Sequence, residues 1–237
     1  HCLSSAASDV YKRQIYIIPT PIGNLGDITY RAIDVLKKSD KIFAEDTRIS
    51  KKLLLHYGVK QKLYPYHQHN EHFVVDKIIE NLLEDKQVIS LVSDAGTPGI
   101  SDPGYLLVTK AIERNITVFC LPGPTALIPA IVQSGFPTNE FLFVGFLPQK
   151  KGRQKKLKEI AQQNFTQVLY ESPHRLLKLI KEIALYFGEE KQISISKEIT
   201  KIHENHFRGT AKEMHQIFSS TPIKGEFVVV IEKNKNN

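Results

Sequence analysis

From Ile15 onward, short continuous apolar runs alternate with longer stretches whose apolar residues recur at helical spacing. IYIIP, beginning at Ile15, reads as a buried strand. Asp27 is then placed to cap a helix that presents Ile28, Ala32, Ile33, Val35 and Leu36 on one face. KIFAED predicts a second strand, followed by a helix from about Ile49 to Tyr57 that Gly58 ends. KLYPYH predicts a third strand at a sheet edge, because Pro65 cannot donate to a ladder. A helix near Phe73 to Glu84 carries Val74, Val75, Ile78, Ile79, Leu82 and Leu83. VISLVS and TVFCL supply strands four and five, with a helix from about Pro103 between them. This order predicts an open, mostly parallel sheet with helices.

After SGFPTNE (Ser134 to Glu140) the strands become amphipathic: FLFVGFL, QVLYES, QISISKEI, IHENHFRG and EFVVVIEK, with a helix from Pro173 to Phe187 among them. The expected fold is therefore α/β in two domains. An N-terminal domain spans 15–136, and a C-terminal domain with a mixed, mainly antiparallel sheet spans 137–237. Residues 1–14 have no apolar period, and DVYKRQ resembles a library-end sequence, so they are expected to be a non-native tail.

Composition narrows the class only a little. Among 237 residues, 41% are hydrophobic and 24% charged, as in globular proteins. The uncharged stretch from Asn115 to Asn139 is broken by four prolines and two glycines, which argues against a membrane span. With Cys2 in the excluded tail, Cys120 in an apolar strand is expected in the core of a protein from a reducing cytoplasm. The net charge of +7 favours polyanionic partners.

Ligands of open α/β sheets bind beyond the carboxyl ends of the strands. Three turn-rich loops fall there: PTPIGNLGD after strand one, SDAGTPGISDPG after strand four and PGPTA after strand five. Each alone reads as a tight turn, with Asp102 capping the next helix. Together they suggest a small-ligand site, at which Asp94 or Asp102 holds an ammonium or a ribose hydroxyl. Neither the dinucleotide fingerprint G-x-G-x-x-G nor a phosphate loop is present.

The ordered set IIPTPIGNLGDIT, AEDTR, HNE, LVSDAGTPGISDPGY, PGPTAL, GFLPQK, YESPHR and FRGT resembles the bacterial small-subunit ribosomal RNA 2′-O-ribose methyltransferases, of the tetrapyrrole-methylase superfamily. The resemblance covers nearly everything from Ile15 to Ile231. It implies S-adenosylmethionine as cofactor, a cytidine of 16S ribosomal RNA in the decoding region as substrate, a homodimer and a cytoplasmic location, with no membrane and no metal. It also implies a two-domain cofactor enclosure. One wall would be Asp94, Ala95, Gly96, Thr97, Pro98, Ile100, Ser101, Asp102 and Pro103. The other would be Pro122, Gly123, Thr125 and Ala126, with Tyr170, Glu171, Gly225 and Glu226 from the second domain. The rival within the superfamily is a methylase of a corrin precursor; a rival of another class is an inactive RNA-binding or ribosome-assembly factor.

Methyl transfer to a ribose hydroxyl needs alignment and benefits from a nearby acceptor for the proton. Glu45, Asp46 and Arg48 are candidates after strand two, although Asp46 could equally cap the following helix. His67 and His69 lack metal-ligand spacing and read as a polar loop. His174 and Arg175 are candidates at the start of the Pro173 helix, where Arg175 meets a phosphate or pairs with a carboxylate. Lys197, Glu198 and Lys201 read as a solvated strand face. Lys150, Lys151, Arg153, Lys155 and Lys156 form a basic run suited to RNA backbone, with Arg208 as a further contact.

Overall fold

The computed structural model describes residues 13–234. The chain divides into two compact units, the first ending at Thr125 and the second beginning at Ala126. This boundary lies before the expected junction at 136/137. The reason is a helix, Leu127–Ser134, whose Ala130 and Ile131 are buried and which packs on strands of the second unit.

In the first unit, strands β1 (Gln14–Ile18), β2 (Lys41–Ala44), β3 (Leu63–Pro65), β4 (Val88–Val92) and β5 (Thr117–Cys120) form one sheet in the order β3-β2-β4-β1-β5. Every pairing is parallel. Side chains of a strand alternate between faces, and β1 shows the result. Ile15 and Ile17 join a cluster with Val75, Ile78, Leu82 and Leu107, whereas Tyr16 and Ile18 join another with Ala32, Leu36 and Leu54. The helices α1 (Tyr30–Lys38), α2 (Thr47–His56), α3 (Glu71–Asp85) and α4 (Tyr105–Glu113) thus cover both faces, and β1 is buried throughout.

Four expectations need correction here. Gln14 is the first residue of β1, pairs with Val88 and Thr117 and is buried, so the expected tail reaches too far into the fold; its residues 1–12 lie outside the described residues. Asp27 ends a single 3₁₀ turn capped by Asn24, and the cap of α1 is Thr29, which accepts from Ala32 N at 3.1 Å. Asp102 caps no helix; α4 begins after Gly104 without a side-chain cap. Cys120 is exposed, because β5 is the edge of the sheet rather than its centre.

The second unit starts with α5 (Leu127–Ser134). Its sheet comprises β6 (Phe141–Phe146), β7 (Thr166–Glu171), β8 (Gln192–Lys197), β9 (Asn205–Thr210) and β10 (Phe227–Ile231) in the order β6-β7-β10-β8-β9. Only β6 and β7 run parallel; the other pairings are antiparallel. α6 (Arg153–Ala161), α7 (Pro173–Phe187) and α8 (Ala211–Ser220) contribute Leu157, Leu176, Ile180, Met214 and Phe218 to one core with β7, β8 and β10. Pro173 sits in the first turn of α7, where its missing N–H costs nothing. α8 opens with a reciprocal capping box between Thr210 and Glu213. Among the described residues no helix is long and apolar enough to cross a membrane.

Candidate functional site

The carboxyl ends of β1, β2, β4 and β5 gather the first unit's turn-rich loops. Thr20, after β1, and Gly96, after β4, exchange two backbone hydrogen bonds of 2.9 Å each. The Thr20 hydroxyl donates to Ser93 O at 3.0 Å, and the Ser93 hydroxyl to Gly96 O at 3.2 Å. Thr97 Oγ1 donates to Pro124 O at 3.4 Å, which links the loop after β4 to the loop after β5. Gly96 has φ +82°, a conformation that side-chain-bearing residues avoid. Gly123 is required for another reason. A Cβ there would stand 2.7 Å from Pro19 Cβ, so the two loops could not approach as they do.

Carboxylates collect on this scaffold because β2 and β4 are neighbours. Asp94 Oδ1 accepts from Asp46 N at 3.0 Å, and the Glu45 carboxylate accepts from Asp94 N. Burial and the charge of Asp94 raise the pKa of Glu45. Burial likewise raises that of Asp94. Asp102 is pushed up to about 7, by burial first and then by the charges of Glu45 and Asp94. Asp46 behaves in the opposite way. It caps α2 by accepting from Arg48 N at 2.8 Å, and the Arg48 guanidinium grips it at 2.6 Å, which holds its carboxyl well below the usual range. Asp46 is thus a cap and an ion-pair partner, and it is a poor proton acceptor.

The half-buried trio Glu45, Asp94 and Asp102 therefore carries negative charge that its surroundings penalise. Such a site favours a cationic ligand. Below about pH 4, Asp102 is neutral folded or unfolded, so it has no effect on stability. Between there and its raised pKa the unfolded chain ionises and the folded one resists; stability is lost, and the cost is complete above about pH 7. Asp102→Asn is expected to raise Tm at pH 8 and leave it unchanged at pH 4, measured by thermal melting in the absence of ligands. Equal melting shifts at both pH values would refute the assignment.

A cavity of about 440 Å³ borders the same loops, with Ser93, Asp94, Pro21 and Leu25 on one side and Ile49, Ser50, Lys52 and His56 of α2 on the other. Among the described residues the buried Ser50 hydroxyl has no hydrogen-bond partner. The turn after β3 stands apart chemically. Asn70 Oδ1 accepts from His67 N at 2.8 Å, and the His67 and His69 rings meet at 6.0 Å. Among the described residues no cluster of His, Cys, Asp and Glu has a metal-holding arrangement.

The second unit treats its candidates differently. Arg153 is 2% exposed, and its guanidinium bridges Glu171 at 3.3 Å and Glu182 at 2.7 Å. It is a structural cation and is removed from the expected RNA-binding run. Glu171, also buried, accepts from Arg175 Nε at 2.8 Å and from Ser172 N at 2.9 Å. Its carboxylate is engaged in this network. Arg175 takes the carboxylate-pairing alternative, while His174 beside it is exposed. Arg208 donates to the carbonyls of Gln133 and Ser134 and so serves the unit's own packing. Glu226 receives Lys201 at 2.8 Å, and Lys201 also reaches Glu198 at 2.9 Å. Of these three, Glu198 and Lys201 were expected on a solvated face and Glu226 as a cofactor contact; the clue to their order lies in Gly225, where a Cβ would come within 2.6 Å of Glu198 Cγ. Lys150, Lys151 and Lys155 are exposed as expected, and Lys156 pairs with Glu159 at 2.7 Å.

Residues 14–215 match the family model of the Tetrapyrrole (Corrin/Porphyrin) Methylases. The chain is 46% identical over 224 residues to "Ribosomal RNA small subunit methyltransferase I" of Halalkalibacterium halodurans, covering 94% of this chain and 77% of that protein. The protein of the same name from Escherichia coli O157:H7 is 43% identical over 232 residues, covering 97% and 81%. Among solved structures, uroporphyrin-III-C-methyltransferase from Thermus thermophilus superposes with a TM-score of 0.63 at 16% identity, over 92% of this chain and 94% of that one. Cobalt precorrin-4 methyltransferase superposes with a TM-score of 0.65 at 16% identity, over 98% of both. At that identity these two structures speak for the fold alone.

Proposed function

From the premise that this chain belongs to the tetrapyrrole methylase family, in the group of the ribosomal RNA small subunit methyltransferases I, we propose that it uses S-adenosylmethionine to methylate the 2′-hydroxyl of a cytidine ribose in 16S ribosomal RNA. The observation that carries the chemistry is the acidic trio Glu45, Asp94 and Asp102, two of which flank the positive-φ turn at Gly96. S-adenosylmethionine, when bound, supplies an electrophilic methyl group on a sulfonium and carries a second cation in its ammonium. The donor set fits it: carboxylates that are costly to ionise alone, and backbone groups at glycine turns that side chains do not obstruct.

The residues of the first unit then have distinct roles. Asp94 and Asp102 neutralise the cofactor's cations, and the Thr20–Gly96 bridge holds their loop in one conformation. Gly123 admits the loop after β5 against Pro19. The 440 Å³ cavity beside Asp94 has apolar walls for a base, and Lys52 and His56 suit the flanking phosphates. Calorimetric titration with S-adenosylmethionine tests this assignment. Affinity is expected to rise between pH 6 and pH 8, by at most about tenfold per unit, because Asp102 must lose its proton to meet a cation. Absence of binding at pH 8 would refute it.

RNA is favoured over a tetrapyrrole by the relatives' names and by the exposed lysines ahead of and along α6. Changing Lys150, Lys151, Lys155 and Lys156 together to glutamine should raise KM for ribosomal substrate and flatten its salt dependence. Each lost phosphate contact on single-stranded RNA removes a slope of about 0.7. Affinity for S-adenosylmethionine and kcat at saturating RNA should hold, since only uniform binding is removed. An unaltered KM and salt slope would make the run a solvated helix start.

A further inference from the structure

We propose that Phe146 is a stacking platform for one unpaired base of the RNA substrate, with Lys155 and Lys156 holding the adjoining phosphates. This inference rests on the RNA reading above and adds a residue that the reading does not use. Among the described residues β6 is an edge strand, paired with β7 alone. Its register shifts between Phe143 and Gly145, and Gly145 takes φ +66°. A bulge of this kind bends a strand and re-aims the side chains beyond it. Here the result is that Phe146 is 53% exposed, although Gly145 and Leu147 on either side are buried.

The ring is braced as well as exposed. Its centroid lies 5.6 Å from that of Tyr170, at 63°, and Tyr170 in turn meets Phe143 at 5.1 Å and 70°. A cavity of about 410 Å³ adjoins it, lined by Val144, Phe146, Pro148, Gly152, Lys155 and Lys156 among others, with Glu159 holding Lys156 at 2.7 Å. A Cβ at Gly152 would meet nothing within 4 Å, so that side of the cavity is open. An exposed, fixed aromatic ring at a sheet edge with cations at its rim is the combination by which proteins hold unstacked bases of single-stranded RNA. A second copy of this chain fits less well, because the chain's net charge of +7 opposes bringing two lysine rims together.

The test uses the full chain and a short single-stranded RNA carrying one 2-aminopurine, whose fluorescence falls when it stacks. Wild type is expected to quench the probe. Phe146→Leu should abolish the quench and weaken binding by about fivefold to a hundredfold. Phe146→Tyr should restore both, which separates stacking from folding. Lys155→Gln should flatten the salt dependence and keep the quench. Unchanged quench and affinity in Phe146→Leu would overturn the proposal. So would a change of sedimentation mass with RNA affinity intact, which would assign the face to self-association. Methyl transfer by the wild type is scored separately. Transfer with a silent Phe146 refutes only this inference, and a Phe146-dependent quench without transfer refutes only the enzymatic reading.

Discussion

Gly96→Val is expected to lower affinity for S-adenosylmethionine by about tenfold to a hundredfold while the first unit still folds. The cause is conformational more than steric. A Cβ at this position would touch Ile22 Cγ2 at 3.5 Å and Pro124 O at 4.0 Å, both ordinary contacts. The φ of +82°, however, is one that a β-branched residue occupies only under strain. Strain of this kind costs roughly 1–3 kcal/mol, and each 1.4 kcal/mol is a factor of ten in the population competent to bind. The loop can relieve it only by giving up the two 2.9 Å bonds with Thr20, and with them the placement of Asp94. Gly96→Ala should show a smaller loss in the same direction. Calorimetry on both variants, with circular dichroism to verify folding, decides the matter; unchanged affinity in Gly96→Val would remove this loop from the cofactor site.

Arg153→Met should destabilise the second unit by about 3–5 kcal/mol, the usual cost of leaving a buried ion network without one partner. For a unit of this size that is a fall in Tm of roughly 15 °C or more. Arg153 is 2% exposed and Glu171 is equally buried, so water cannot replace the lost guanidinium without opening the core. Arg175 keeps its 2.8 Å contact with Glu171, and Lys178 approaches Glu182 at 3.9 Å, which limits the damage without cancelling it. Lys155→Met, two residues along α6 and exposed, should change stability by no more than about 0.5 kcal/mol. Similar melting temperatures for the two variants would contradict the structural role assigned to Arg153.

The contrast between those neighbours shows what could be read from the chain. Periodicity located β1, β2 and β4 because their apolar runs are buried from both sides, and it found α7 behind Pro173, whereas β10, expected to be amphipathic, is buried throughout. Arg153 was hidden by its company: among lysines it looks solvated, and its partners lie at positions 171 and 182. A signal was nevertheless present, since Arg153, Leu157 and Ile160 fall at i, i+4 and i+7 on the buried face of α6. Cys120 was misplaced because a short apolar run does not say whether its strand is central or at an edge; that depends on strand order. The same dependence hid the acidic trio. Glu45 and Asp94 are far apart in sequence and meet only because β2 pairs with β4. The loops were legible as turn chemistry, whereas the upward pKa shift of Asp102 comes first from its burial and then from the charges of Glu45 and Asp94 that this pairing brings together.

The reaction proposed for this chain is transfer of a methyl group from S-adenosylmethionine to a ribose of 16S ribosomal RNA. The most direct measurement incubates the full chain with tritiated S-adenosylmethionine and small ribosomal subunits that lack the modification, then digests the RNA and locates the label. Tritium is expected in a single cytidine, within a methyl group on its 2′-oxygen, and that methyl group makes the adjoining phosphodiester resistant to alkali. Failure to label the RNA, or label on a base instead of a ribose, would contradict it.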